Sequence, residues 1–287
     1  MKTNFTTLKK NRFLLPILIS VIFLSCEKKR EAQKSTTKTT AQKSDGHINL
    51  FEKLPESTTG INFSNNLKED VATIENLFDF DYFYNGGGVG IADLNNDGLP
   101  DIFFTGNQVE NKLYLNKGNL SFEDISAKAN INNGKVWSNG VTFVDINNDG
   151  FLDIYVSQGG PKQSRDRKNL LFINQQDLTF TEEAETYGLA DTGIGTQSVF
   201  FDLDNDGDLD CYVSNENELY GNGPTTFFKY MQIPKNLYRS SGHLYENTNG
   251  KFTDITKKAG VLLPSFGLGV AVSDINNDGW LDIYVAN

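Results

Sequence analysis

One short pattern recurs four times along the chain and constrains its fold more than any other feature. The copies read VGIADLNNDGLPDIFFTGN to Asn107, VTFVDINNDGFLDIYVSQ over 141–158, SVFFDLDNDGDLDCYVSN over 198–215 and VAVSDINNDGWLDIYVAN over 270–287. Each is an apolar run, an acidic turn containing Gly, and a second apolar run. That order predicts strand, tight loop, strand. A repeat at this spacing is the mark of an array of identical supersecondary units, not of one irregular domain.

A second motif follows the first three copies, as NKLYLNKGNLSFEDIS from Asn111, NLLFINQQDLTFTEEA from Asn169 and GHLYENTNGKFTDIT from Gly242. Each predicts two more short strands across a turn. One repeat therefore has four strands, the count of a β-propeller blade. The first Asp of successive copies is 52, 57 and 72 residues apart, and the drift lies between the second and third strands. The chain holds three full repeats and the first half of a fourth. The fold class expected is all-β, a propeller of four-stranded antiparallel blades that is incomplete by sequence count. Either the chain ends meet in a very small ring or the sequence is part of a longer protein; the bare edge strand favours the second. FEKLPESTTGI (51–61) resembles FTDITKKAGV (252–261), so Phe51 is expected to begin the outer strand of a blade.

Before the repeats the chain has a different character. Lys2, Lys9, Lys10 and Arg12 precede the apolar run FLLPILISVIFL (13–24) and Ser25-Cys26. The run is too short to span a membrane comfortably and suits a secretory signal. Its end resembles a bacterial lipobox, although Phe23 stands where Leu is usual. Residues 1–26 are thus expected to be a lipoprotein signal with Cys26 carrying lipid, 27–46 a polar tether, and 47–287 the repeat domain. The expected location is the bacterial cell envelope, with the outer membrane favoured. The whole chain carries a net charge of -11, but from His47 onward 16 Lys and Arg face 34 Asp and Glu. So acidic a body repels phosphate and excludes nucleic acid as a partner. It suits cations.

Numbered from its first Asp, each loop keeps oxygen side chains at alternate positions and Gly at the sixth. The sets are Asp93, Asn95, Asp97 and Asp101; Asp145, Asn147, Asp149 and Asp153; Asp202, Asp204, Asp206 and Asp210; and Asp274, Asn276, Asp278 and Asp282. Position 7 varies (Leu99, Phe151, Asp208, Trp280), as a backbone carbonyl ligand permits. Several hard oxygen ligands without His or Cys select Ca²⁺. Up to four structural Ca²⁺ are expected. A metal-free Asn/Asp-Gly hairpin needs only the central NDG; it does not explain Asp at positions 1, 5 and 9 in every copy.

The loop begins like an EF-hand but lacks its Glu at position 12 and is flanked by strands. GGGVGIADLNNDGLPDIFFTGN and its copies resemble FG-GAP/VCBS repeats. The resemblance covers residues 50–287 and extends to secreted bacterial proteins that often carry a C-terminal ASPIC/UnbV domain, absent from this sequence. It implies an integrin-α-like propeller with calcium in the blade loops, and little about activity.

Residues for chemistry are scarce. His47 and His243 are the two histidines, and no G-x-S-x-G, H-E-x-x-H or C-x-x-C occurs. His243 is expected to pack or hydrogen-bond. Cys211 fills the slot of Ile102, Ile154 and Ile283 and is expected to be buried. NGGGVG (85–90) is explained by small residues where inner strands crowd together. Two insertions are the better candidates: GGPKQSRDRK (159–168), with Arg165, Arg167 and Lys168, and the aromatic segment 215–241, with Tyr220, Phe227, Phe228 and Tyr230. These predict a membrane-tethered binding, adhesion or scaffold module for a glycan or protein of the envelope. The alternative is a polysaccharide lyase or hydrolase on the same scaffold.

Overall fold

A computed structural model describes residues 50–132, 134–161, 167–217 and 224–287. Cys26 and the tether lie outside the described residues. The first blade is β1 (Val89–Ala92), β2 (Asp101–Phe104), β3 (Lys112–Asn116) and β4 (Phe122–Asp124), hydrogen-bonded in that order. The second is β5 (Ser138–Val144), β6 (Asp153–Gln158), β7 (Leu170–Asn174) and β8 (Phe180–Glu182). The third is β9 (Ile194–Phe201), β10 (Asp210–Glu216), β11 (His243–Thr248) and β12 (Lys251–Asp254), and β13 (Gly269–Ser273) pairs with β14 (Asp282–Ala286). All pairs are antiparallel. Three four-stranded sheets and one two-stranded sheet make an incomplete propeller, as the repeat predicts.

The cores lie between blades. Leu94, Phe103, Leu113 and Ile125 of the first blade pack on Ile154, Val156, Phe172 and Phe180 of the second. Tyr155, Leu171 and Ile173 pack on Cys211, Val213, Tyr245 and Phe252. Phe201, Tyr212 and Leu244 meet Val270, Val272, Ile283 and Val285. Each fully buried Leu or Phe contributes about 1.5–3 kcal/mol, which is why strands too short to persist alone hold together.

Inner strands of neighbouring blades come close enough to exclude a side chain. A Cβ on Gly88 would stand 2.4 Å from the Asn139 carbonyl oxygen, and one on Gly140 would stand 2.5 Å from that of Thr196. Polar side chains stitch the same seam: Thr105 Oγ1 donates to Asn139 O at 2.6 Å, Thr142 Oγ1 to Ser198 O at 2.8 Å and Thr196 Oγ1 to Gly267 O at 2.7 Å. The glycines of NGGGVG answer to this crowding; β1, not a helix, follows them.

Phe51–Pro55 forms no strand, which corrects the expectation for that segment. Its likeness to the later repeats lies instead in the helical turn that follows. α1 (Glu56–Thr59) ends at Gly60, and α2 (Ala184–Tyr187) ends at Gly188, both left-handed with φ of 73° and 85°. Asn130 and Gly260 take the same conformation at the equivalent place. These turns sit on the outer strand of the next blade. Gly60 abuts the Phe122 carbonyl, Asn130 Nδ2 donates to that of Phe180 at 3.3 Å, and Gly188 abuts that of Phe252. The segment around Gly60 thus treats the first blade as each repeat treats its successor.

Candidate functional site

The four acidic loops join the first and second strand of each blade at one end of the sheets. Asp at position 1 accepts two backbone N–H groups: Asp93 takes Asp97 N at 3.1 Å and Gly98 N at 2.7 Å. The same pair forms at Asp145, Asp202 and Asp274. Asp at position 5 accepts from the N–H of position 7, as at Asp97 with Leu99 (2.8 Å). Gly98, Gly150, Gly207 and Gly279 have φ of 83–94°, where L side chains are strained.

Position 4 completes the turn. Asn96, Asn148, Asn205 and Asn277 all have φ of 56–60°, the left-handed region that Asn tolerates best after Gly. In sequence it is the Asn of the central NDG, the part that a plain hairpin also needs.

Position 9 has a second duty. Asp101 Oδ2 accepts Leu94 N at 3.1 Å and its Oδ1 accepts Asn116 N at 2.8 Å. Asp153 joins Ile146 N and Asn174 N, and Asp210 joins Leu203 N and Asn247 N, in the same way. The carboxylate ties the loop to the third strand. Burial raises all three, Asp153 to about 6, against the pull of those N–H donors.

The third loop differs. In the others, Asn at position 3 donates to position 5, as Asn147 Nδ2 does to Asp149 Oδ2 at 3.1 Å. Asp204 has no proton to give. Oxygens of Asp202, Asp204 and Asp210 lie within 4.8 Å of one another. Beside them, Asp208 Oδ1 is buried and makes no hydrogen bond among the described residues, and burial followed by repulsion from Asp206 and Asp210 raises its pKa. Convergent hard oxygens and an orphaned carboxylate oxygen fit an oxygen-seeking divalent cation.

The insertions leave from the opposite end, between the second and third strands of their blades. Arg167 is buried and donates to Gly160 O at 3.2 Å; Lys168 pairs with Glu185. Arg165 and Tyr220 lie outside the described residues. The aromatic insertion forms α3 (Pro224–Met231) and α4 (Pro234–Arg239). Phe227 lies in α3, Phe228 is 65% exposed and Tyr230 is half-buried.

His243 is buried beneath α4. Its Nδ1 meets Asp191 Oδ2, and its Nε2 lies 2.8 Å from Tyr238 O, an acceptor only. Asn215 Nδ2 is 3.3 Å from Nδ1, Tyr245 donates to Asp191 at 2.7 Å, and the Tyr238 ring stacks on the imidazole at 4.0 Å. Burial pulls the His243 pKa down, but Asp191 more than offsets it and the net direction is up. Burial likewise pushes Asp191 up, and His243 brings it below the usual carboxylate range. Both ring nitrogens are engaged at 1% exposure, so His243 is a structural residue. Cys211 is fully buried and burial raises its thiol, which leaves it inert.

Blades of this build, linked by acidic loops and packed through inner strands, define a propeller-type repeat protein. The FG-GAP-like repeat family matches residues 93–156 and 236–285, so the chain carries FG-GAP-like repeats in two regions. It is 24% identical over 206 residues to cartilage acidic protein 1 of Xenopus tropicalis, covering 71% of this chain and 29% of that protein. It is 28% identical over 131 residues to the Mus musculus protein of that name, covering 45% of this chain and 20% of that one. The chain thus spans less than a third of the length of these curated relatives. A solved structure of an Agrocybe aegerita lectin, described as recognising non-reducing terminal N-acetylglucosamine, aligns with a TM-score of 0.34 and 16% identity, over 69% of this chain and 42% of that one.

Proposed function

We propose that the chain is a calcium-stapled, envelope-tethered propeller that acts as a binding or scaffold module for a glycan or protein. The observation that carries the metal is the third loop, where Asp202, Asp204 and Asp210 converge beside the orphaned Asp208 oxygen. A cation there offsets repulsion that the loop's own N–H groups do not cancel. Asp274, Asn276, Asp278 and the matching residues of the first two loops would hold further ions. The metal's role is structural: it pins the first two strands of a blade, while position 9 carries the link on to the third. A binding role, in preference to lyase or hydrolase chemistry, is supported by His243 being engaged on both nitrogens and by Cys211 being inert.

The test is thermal unfolding of the full chain, stripped of metal and then titrated with Ca²⁺. Extracellular sites with Kd of about 10⁻⁴–10⁻³ M would each contribute about 1.4–2.7 kcal/mol at 10 mM Ca²⁺. A melting curve that Ca²⁺ and chelator leave unmoved overturns the metal. The tether is tested by lipid labelling of the expressed chain: label lost in Cys26→Ser supports it, and an unlabelled wild type sinks it.

A further inference from the structure

At the end that carries the acidic loops, the seam between the first and second blades is tied shut. Asn96 Nδ2 in the first loop donates to Gly150 O in the second at 2.9 Å. Asn174 Nδ2 in β7 donates across the seam to Leu94 O at 2.8 Å, besides its bond to Leu152 O in its own blade. One blade on, the counterparts are Asn148 and Asn247, and neither crosses. Asn148 makes no side-chain hydrogen bond among the described residues. Asn247 Nδ2 keeps the bond within its own blade, to Leu209 O at 3.1 Å. Both residues instead line a cavity of about 570 Å³ between the second and third blades. That volume lies in the range of small-molecule sites, about 300–1,000 Å³.

The wall carries one carboxylate from each blade. Glu183, at the start of α2, comes from the second, and Asp208, in the third loop, from the third. The Glu183 side chain caps no helix N–H and makes no ion pair among the described residues. Asp208 Oδ1 is buried without a hydrogen bond among the described residues. Tyr187 lines the same cavity, half-buried. Burial and then the Glu183 charge raise its hydroxyl, which marks that carboxylate as a neighbour of the ring. The cavity is not the cation site of the third loop: Asp202, Asp204 and Asp210 converge there without Glu183. Asp208 borders both, and Glu183 belongs to the cavity. An ammonium group suits this wall. It brings three N–H donors and no acceptor, its charge offsets that of the carboxylates, and an aromatic face attracts it further. Asn247, 6% exposed, has an N–H left over, which a hydroxyl or carbonyl beside the amine would accept.

We infer that this cavity binds a primary ammonium group, on a ligand that bridges the second and third blades. The inference rests on reading the chain as a binding module and names the chemistry it takes. It is tested by saturation-transfer NMR on the full chain in calcium-containing buffer. The probes are Nα-acetyl-lysine methylamide and glucosamine, each beside the counterpart whose amine is acetylated and uncharged. At least one amine should bind, about tenfold or more tightly than its acetylated counterpart. Glu183→Gln keeps the shape and should weaken that binding about tenfold or more, the loss expected for a hydrogen bond to a charged group, with the calcium-dependent melting shift unmoved. Binding by the lysine derivative points to a protein source of the amine, and binding by glucosamine to an amino sugar. No signal from either amine, equal binding by the acetylated counterparts, or equal binding by the variant overturns the site. A calcium-dependent melting shift beside a negative amine result sinks the ammonium site alone; amine binding through Glu183 in a chain indifferent to calcium sinks the metal alone.

Discussion

The second and third blades are built from the same repeat but close their far ends differently. In the second, Asn169 Oδ1 accepts Gln158 N at 2.7 Å and its Nδ2 donates to Tyr155 Oη at 3.0 Å. Asn111 does the first of these jobs in the first blade, accepting Gly106 N at 2.9 Å. In the third blade the slot is Gly242, because a Cβ there would stand 2.1 Å from Tyr212 Oη. Its neighbour is His243 where the second blade has Leu170. A neutral amide has been replaced by a buried ion pair with Asp191, and the replacement coincides with the α3–α4 insertion. One amide can close a shorter connection. A long insertion needs an anchor, and the His243 ring takes that role through Tyr238 O.

The comparison breaks most visibly if the pair is broken. His243→Ala should cost about 3–5 kcal/mol in urea unfolding, because it strands a buried carboxylate. Asn169→Ala removes one neutral partner from a buried N–H and should cost about 1–3 kcal/mol. Equal costs would mean that the third blade's anchor is no more than an amide in another form.

Titration sharpens the same point. His243 is raised and Asp191 lowered, so the pair is fully ionised between the ordinary carboxylate value of about 3.9 and the imidazole value of about 6.5. The His contribution is complete below about 6.5 and is lost as pH rises through the folded-state pKa, by up to about 1.4 kcal/mol per pH unit. The Asp191 contribution is lost as pH falls through its own lowered pKa. Hydrogen exchange of α4, corrected for intrinsic rates, should therefore quicken above neutrality while β6 and β7 stay level. A pH-independent α4 would show that the ring is neutral.

The loops of these two blades make a smaller contrast. Without metal, Asp204→Asn should stabilise the chain by at most about 1 kcal/mol, by removing a repulsion at an exposed site. With Ca²⁺ the same change should cost stability. Asn147→Asp should do the reverse, giving the second loop the position-3 charge of the third. If neither exchange alters the calcium-dependent part of the melting temperature, position 3 is not a ligand.

The contrast also shows which parts of the molecule were legible in sequence. Four spaced acidic turns between apolar runs dictate strand, loop and strand locally, so blade number and pairing follow from a short-range signal. Position 9 was legible as conserved geometry within the chain, but its bonds to Asn116, Asn174 and Asn247 were not, since the partners lie 15, 21 and 37 residues away. Asp191 sits in LADTG with no pattern to mark it, and its partner is 52 residues on. No element was expected within the aromatic segment 215–241; Pro224 and Pro234 start short helices there, a place where Pro's missing N–H costs nothing. The cavity was invisible because its wall is assembled from two blades.

The smallest expected effects decide what the insertion's aromatic residues are for. Tyr238 donates to Asp254 Oδ2 at 2.6 Å and stacks on His243, so it belongs to the anchor. Tyr238→Phe keeps the stack and loses the hydrogen bond, which should cost about 1 kcal/mol. Phe228 is 65% exposed, and Phe228→Ser should change stability by no more than about 0.5 kcal/mol. A Phe228 variant as damaging as the Tyr238 one would place both rings in the packing of the third blade. If only the Tyr238 variant is destabilised, α4 is the foot of the insertion, and α3 is free to present Phe228 to whatever the module binds.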